Sequence, residues 1–231
     1  MADIYFVRHG QASFGQQNYD ELSELGHEQA KAVGKSLALF CQPHLFVSGS
    51  LKRQKQTLDN VLSEFDRSGL AGANTAVMEA FNEFDHDNVL NVVYPEYADR
   101  SKMVADLMKE ADPKKAFHKL YQKAVTRWLQ GDGEFNESFH AFEQRVEGGL
   151  QQLIDQSEKG QTILVVSSAG PIAMCMKRVL GTPVEHAFQL NEVMANTAVS
   201  RIMFNEQGDS NLSFFNSYQH LPLNNIKVTY R

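Results

Sequence analysis

The amino-acid sequence predicts an α/β fold built on a mainly parallel sheet. Three observations predict it: short apolar segments rich in strand-forming residues, amphipathic segments between them, and a hairpin pattern near the C-terminus. Strands that alternate with helices pair in parallel, because each helix carries the chain back across the sheet. The hairpin adds at least one antiparallel edge strand.

The first strand is predicted at residues 4–7, which are apolar on both faces, as buried central strands are. Residues 45–47 and 75–78 predict the next two strands, and residues 162–167 give the clearest one. The hairpin is predicted from residues 198–204 and 212–216, which flank a turn sequence.

Helices are predicted between these strands. Ser23 and Ser50 are each placed to cap a helix, Pro171 fits a first helical position, and Gly181 fits a C-terminal cap. From about residue 85 to residue 133 the pattern is helical only. We therefore expect one domain over residues 1–231, with a helical insertion at about 85–133 that covers the site.

Length and charge narrow the classes of function. The 231 residues suit a single domain, and the net charge of -6 argues against nonspecific nucleic-acid binding. We expect no membrane partner, because no apolar segment approaches the roughly 18 residues of a spanning helix. The start of the chain is acidic rather than basic, unlike a secretory signal. Two cysteines cannot form a disulfide framework, so the expected location is cytoplasmic.

Polar side chains follow three of the predicted strands, where ligands bind in open α/β sheets. They are Arg8-His9-Gly10, residues 48–53 with Arg53, and the segment that contains Ser168. Two arginines form a fork-shaped receptor for phosphate, and a helix N-terminus at Arg53 adds free amides. Neighbouring cations favour neutral His9, which leaves one ring nitrogen nucleophilic.

The segment Val7-Arg8-His9-Gly10-Gln11-Ala12 resembles the signature of the histidine phosphatase (phosphoglycerate mutase-like) superfamily. Five further segments resemble other parts of that family in the same order, which makes the match more specific than Arg-His-Gly alone. They are residues 22–30, a helix start; residues 48–57, the second arginine; residues 81–84, the proton donor; residues 136–146, a later helix; and residues 165–172, the last strand, loop and helix. The resemblance covers nearly the whole chain and is weakest at residues 86–133.

The resemblance implies a three-layer αβα sandwich and a phosphatase that acts on a phosphomonoester. His9 would form a phosphohistidine, and Arg8 and Arg53 would bind the phosphate oxygens. Glu83 would protonate the leaving oxygen, although Glu79 is a rival for that role. Ser13 and Phe14 are possible substrate contacts. The resemblance implies no cofactor and no metal, because the arginines neutralise the charge.

Ser168 stands where the family has a second pocket histidine. A hydroxyl can donate to a phosphate oxygen but carries no charge, so the site loses about 1–2 kcal/mol, a roughly five- to thirtyfold weaker interaction. The alternative is that Ser168 is a simple turn residue. This departure predicts a branch of the family that lacks the second histidine and has reduced activity.

Several alternatives stay open at this stage. A phosphoglycerate mutase is one, and a catalytically weakened protein that binds a phosphate ligand is another. The triplet Asp85-His86-Asp87 has no second histidine at metal-ligand spacing and predicts a solvated loop. The partner is a small phosphorylated substrate or a phosphoprotein, and the sequence does not distinguish oligomeric states.

Overall fold

The computed structural model describes residues 1–13, 20–69, 72 and 74–230. Six strands and eight α-helices lie within them. In chain order the elements are β1 (Ala2–Arg8), α1 (Glu24–Leu37), β2 (Leu45–Ser48), α2 (Lys52–Arg67), β3 (Asn74–Val77), α3 (His86–Val93), α4 (Arg100–Leu107), α5 (Pro113–Leu129), α6 (Phe139–Asp155), β4 (Thr162–Ser167), α7 (Ala169–Leu180), α8 (Val184–Val193), β5 (Val199–Phe204) and β6 (Ser210–Ser217).

The strands form one sheet in the order β3-β2-β4-β1-β5-β6. The first four strands of that order run parallel to one another, and β5 pairs antiparallel with β1 on one side and with β6 on the other. This confirms the mostly parallel sheet with an antiparallel edge. In the register, Arg8 lies opposite Ser167 and Ser48 lies opposite Val166, so the carboxyl ends of β1, β4 and β2 meet.

Helices pack on both faces of this sheet. Tyr5 and Val7 of β1 face α1 and α2 in a buried apolar cluster, in which Phe46 and Phe65 meet edge to face at 5.1 Å. The alternate β1 side chain Phe6 points to the other face, which α7 contacts. The predicted αβα layers are therefore confirmed.

The helix ends agree with the sequence at some positions and differ at others. Ser23 caps α1, accepting from the Gly26 N–H at 3.0 Å, and Gly181 ends α7 with φ of 62°. The prediction that Ser50 caps α2 is wrong, because Leu51 precedes the helix and Ser50 Oγ accepts instead from Asn82 Nδ2. Pro171 is the third residue of α7 rather than the first.

Residues Phe84–Arg145 form a compact unit of their own, and Met1–Glu83 with Val146–Arg231 form the other. The smaller unit consists of α3, α4, α5 and the start of α6. Its centre is Trp128, which is fully buried and stacks on Phe84 at 4.4 Å between ring centroids. The Trp128 indole N–H donates to the Glu137 carbonyl at 2.8 Å. Among the helices of the described residues, none is long and apolar enough to cross a membrane.

Candidate active site

His9 follows the last residue of β1 and is 6% exposed. Its Nδ1 lies 2.8 Å from the Gly10 carbonyl oxygen, which can only accept, so Nδ1 carries the ring proton. Its Nε2 lies 3.2 Å from Arg53 Nε, which can only donate, so Nε2 presents its lone pair. Both contacts independently select the same neutral tautomer, with the lone pair on Nε2.

Arg53 is the second residue of α2, and its side chain is 9% exposed. Besides the contact with His9, its Nη1 donates to Asp20 Oδ1 at 2.6 Å. The same carboxylate accepts from the Lys52 N–H at 2.8 Å, so Asp20 holds both the arginine and the helix N-terminus. The Asp20 carboxylate therefore lies where the sequence predicts a phosphate, and phosphate binding by Arg53 stays a prediction.

The backbone after His9 lies unusually close to α1. A Cβ at Gly10 would lie 2.4 Å from the Gly26 carbonyl oxygen, so only glycine fits at this position. The Gly10 N–H donates to Thr57 Oγ1 at 3.1 Å, and that hydroxyl donates to the Arg53 carbonyl. Thr57 therefore ties the His9 loop to the helix that carries Arg53.

Arg8 is 8% exposed and lies at the end of β1. Its Nη1 donates to the main-chain carbonyls of Met194 and Tyr230, the latter at 3.1 Å. Two main-chain acceptors from distant segments thus hold one side of the guanidinium. Its contact with a phosphate stays a prediction.

Glu83 follows a single turn of 3-10 helix, Glu79–Phe81, and is half-buried. Its Oε2 accepts from the Gly170 N–H at 3.1 Å, at the N-terminus of α7. A Cβ at Gly170 would lie 2.1 Å from Glu83 Oε1, so the carboxylate can dock there only because residue 170 is glycine. The rival Glu79 is exposed, and this contact favours Glu83.

Ser168 precedes α7 and is fully buried. Its Oγ accepts from Gln54 Nε2 at 2.9 Å, and within the described residues that is its one hydrogen-bond partner. The Gln54 amide also donates to the Phe81 carbonyl at 3.0 Å, which fixes its orientation. The Ser168 proton is consequently available for another acceptor, but a phosphate can reach it only if the covering groups move.

The remaining predicted residues are less informative. The Ser13 N–H donates to the Glu21 carbonyl at 2.7 Å, and Phe14 lies outside the described residues. The triplet at 85–87 is engaged elsewhere: its first carboxylate caps α3, His86 contacts Tyr121, and Asp87 pairs with Arg100. Over the described ranges, no group of three or more His, Cys, Asp or Glu is arranged to hold a metal ion.

Comparisons with known proteins show the family of this chain. The family model for the histidine phosphatase superfamily, branch 1, matches residues 4–217. The chain belongs to that superfamily. No curated protein matches its sequence.

Solved structures of phosphatases and of a phosphoglycerate mutase share the fold along almost the whole chain. A phosphoserine phosphatase from Entamoeba histolytica is 20% identical, with a TM-score of 0.66, covering 96% of this chain and 100% of that one. A mycobacterial glucosyl-3-phosphoglycerate phosphatase is 21% identical, with a TM-score of 0.62 and coverages of 93% and 98%. A phosphoglycerate mutase from Bacillus anthracis is 16% identical, with a TM-score of 0.63 and coverages of 95% and 94%.

Sequence reasoning missed several residues of the candidate site. Asp20, Gln54 and Asn196 all contact predicted site residues, and Asn196 Nδ2 donates to the His9 carbonyl at 3.1 Å. His220 is buried beside Thr197, whose N–H donates to the Arg8 carbonyl. Burial lowers the pKa of His220 to about 4.

Gly170→Ala is expected to lower kcat of the predicted phosphatase reaction about tenfold or more without lowering the melting temperature. The new Cβ would displace the Glu83 carboxylate, whereas alanine itself is favoured over glycine in a helix by about 0.5–1 kcal/mol. Steady-state kinetics and thermal melting measure the two effects. The matched control is Gly148→Ala in α6, where a Cβ meets nothing within 4 Å and activity should not change. Equal activity of Gly170→Ala and wild type would contradict the role of this contact.

Proposed function

We propose that this member of the histidine phosphatase superfamily is a phosphatase that hydrolyses a phosphomonoester through a phosphohistidine on His9. The observation that carries the proposal is the fixed tautomer of His9. Its Nδ1 proton is directed to the Gly10 carbonyl and its Nε2 lone pair is directed towards Arg53, the cation that would bind the phosphate.

In the first step, His9 Nε2 attacks phosphorus and the bond from phosphorus to the ester oxygen breaks. The protonated carboxyl of Glu83 gives its proton to the leaving oxygen, which departs as an alcohol. The guanidinium of Arg53 exchanges its contact with Nε2 for the phosphate oxygens, and Arg8 supplies a second cation. Charge stabilisation and positioning are the main requirements of phosphoryl transfer.

In the second step, water attacks the phosphorus of the phosphohistidine. The Glu83 carboxylate takes a proton from that water, the P–N bond breaks, and the pair of electrons returns to Nε2. Inorganic phosphate leaves, and Glu83 is again protonated. The cycle restores both groups and consumes one water for each ester bond broken.

The two arginines are the charge-neutralising groups of this proposal, which therefore has no metal-dependent step. Ser168 is proposed as a neutral phosphate donor once the site opens, since the Gln54 amide holds its Oγ as an acceptor and leaves its proton free. A neutral donor binds phosphate more weakly than a charged one, so we propose reduced activity.

The proposed substrate is a small phosphorylated molecule. The similar structures include a phosphoserine phosphatase solved with 3-phosphoglyceric acid and a glucosyl-3-phosphoglycerate phosphatase, both named for small phosphorylated acids or their glycosides. Their identity to this chain is low, so they support the chemical class rather than a particular compound. A phosphoprotein is the alternative.

The test is turnover of an aryl phosphate by the purified protein, with and without a strong metal chelator. We expect release of inorganic phosphate at a rate that the chelator does not change. Absence of turnover with every phosphomonoester tried would contradict the proposal, and stabilisation by vanadate alone would then indicate a protein that only binds phosphate. Interconversion of 2- and 3-phosphoglycerate in a coupled assay would instead indicate a mutase.

A further inference from the structure

The C-terminal segment 227–230 lies against the backbone that carries the proposed nucleophile. The Asn196 N–H donates to the Thr229 carbonyl at 2.8 Å, and Arg8 Nη1 donates to the Tyr230 carbonyl at 3.1 Å. Asn196 in turn reaches the His9 carbonyl through its side chain. This segment therefore touches the support of both residues that begin the proposed mechanism.

A chain of four hydrogen bonds connects the Gln11 N–H, just after Gly10, with the His9 carbonyl, just before it, and passes through this segment. The Gln11 N–H donates to Gln29 Oε1 at 3.0 Å, and Gln29 Nε2 donates to Thr229 Oγ1 at 2.9 Å. Thr229 Oγ1 donates to Asn196 Oδ1 at 2.9 Å, and Asn196 Nδ2 donates to the His9 carbonyl at 3.1 Å. The chain of bonds closes around the His9 loop.

The direction of every bond in this chain is determined. Gln29 Nε2 also donates to the Lys227 carbonyl at 3.0 Å, and a carbonyl can only accept, so the amide cannot be reversed. The His9 carbonyl fixes the Asn196 amide in the same way. Thr229 has a single hydroxyl proton, which goes to Asn196 Oδ1, and it must therefore accept from Gln29.

This chain of hydrogen bonds is partly buried: Thr229 is half-buried, and the two amide side chains that it joins are fully buried, which makes the links at Thr229 costly to lose. Gln29 and Asn196 have no exposed surface. Without the Thr229 hydroxyl, one buried acceptor and one buried donor lose a partner, and a buried polar group without a partner is strongly disfavoured. The structure would then relax by moving the amides, and the amide of Asn196 holds the His9 main chain.

We propose that Thr229 and Asn196 are positioning residues for phosphoryl transfer. Asn196 holds the His9 backbone directly. Thr229 precedes Tyr230, whose carbonyl accepts from the Arg8 guanidinium. The inference rests on the proposed function, since it concerns the placement of that nucleophile and that phosphate ligand. A displacement of about 1 Å in a reacting group can cost a hundredfold in rate, so a loosened support has a measurable effect.

The test compares Thr229→Val, which keeps the shape and removes the hydroxyl, with Thr229→Ser, which keeps the hydroxyl. Thr126→Val is the matched control, because the Thr126 hydroxyl is exposed and, among the described residues, donates within its own helix to the Gln122 carbonyl. We expect Thr229→Val to lower kcat/KM about tenfold, Thr229→Ser to stay within about threefold of wild type, and Thr126→Val to match wild type.

A purely structural role would lower the melting temperature of Thr229→Val and leave kcat and KM of the folded protein unchanged. That outcome would overturn the inference, as would failure of serine to restore activity. Combining Thr229→Val with Asn196→Ala adds a second criterion. If both residues act through the same chain of hydrogen bonds, the double variant is about as active as the less active single variant. If they act independently, the two losses of activity multiply, which would contradict the inference.

Affinity for inorganic phosphate, measured by calorimetry, separates this inference from the proposed function. Thr229→Val should bind phosphate several-fold more weakly than wild type, because the segment that carries the Tyr230 carbonyl loses the two hydrogen bonds of the Thr229 hydroxyl and keeps its main-chain bonds to Asn196 and Gln29. This measurement needs no turnover. If the wild type binds phosphate but hydrolyses nothing, the proposed function fails and the affinity difference still decides the inference. Equal affinities would overturn it.

Discussion

His9→Ala is expected to lower kcat for a phosphomonoester by about 10⁴-fold or more, to the background level of the assay. The variant has no atom that can form the phosphoenzyme, and removal of a covalent nucleophile from an assembled site usually has an effect of this size. The measurement is release of inorganic phosphate by equal amounts of folded wild type and variant.

A second variant and a control make this result specific. His9→Asn places an amide near the position of Nδ1, where it can still donate to the Gly10 carbonyl, and it should be folded but equally inactive. His140→Ala changes a histidine whose side chain is 75% exposed and should match wild type. Turnover by folded His9→Ala at a tenth of the wild-type rate or more would contradict a nucleophilic role.

Glu83→Gln is expected to have the second-largest effect, and the effect should depend on the leaving group. Gln retains an oxygen that accepts from the Gly170 N–H but has no acidic proton to give. General acid catalysis typically contributes 10²–10⁴-fold, so hydrolysis of an alkyl phosphate should fall by about that factor. A nitrophenolate needs no proton to depart, so the first step with p-nitrophenyl phosphate should be much less affected.

Rapid-mixing kinetics with p-nitrophenyl phosphate reveal this difference. The variant should release a burst of about one nitrophenolate per active site and then turn over slowly, because water activation in the second step also needs the carboxylate. The control is Glu79→Gln, a substitution of the rival carboxylate, which is exposed and should not change the rate. If Glu79→Gln rather than Glu83→Gln shows this behaviour, the assignment of the proton donor is wrong.

Much of the fold could be predicted because its signals are local. Residues 4–7 and 162–167 are apolar on both faces, as buried strands are. Ser23 Oγ accepts from the Gly26 N–H and donates its proton to Gln11 Oε1, so its second hydrogen bond does not compete with the cap. Ser50 failed as a cap for a reason the sequence does not show. Its hydroxyl and backbone N–H are both taken by Asn82, a residue 32 positions away along the chain.

The candidate site also contains residues that the sequence predicts and residues that it does not. Arg8 and His9 lie where β1 ends, and Arg53 lies in the first turn of α2, the helix that follows β2. The type of each side chain and its position in the pattern together predict a site. Asn196 is 187 residues away from His9 and binds its main-chain carbonyl, which any residue would offer. A contact of that kind leaves no pattern in a single sequence, and only the folded chain shows it.

Gln54 is an intermediate case. Its place among the apolar residues on one face of α2 predicts burial, and it is fully buried. A buried amide must find hydrogen-bond partners, so the sequence indicates that partners exist. It does not indicate that they are the Phe81 carbonyl and Ser168 Oγ, because these belong to segments 27 and 114 residues away.

The most direct test of the account is to trap the phosphoenzyme. The protein is mixed with p-nitrophenyl phosphate, whose leaving group needs no proton, quenched within milliseconds, digested without acid and analysed by mass spectrometry. We predict one phosphoryl group on the imidazole of His9, labile in acid and stable in base, with a higher yield in Glu83→Gln than in wild type. A protein that hydrolyses the ester yet carries no phosphoryl group on His9, or carries it on another residue, would contradict the account.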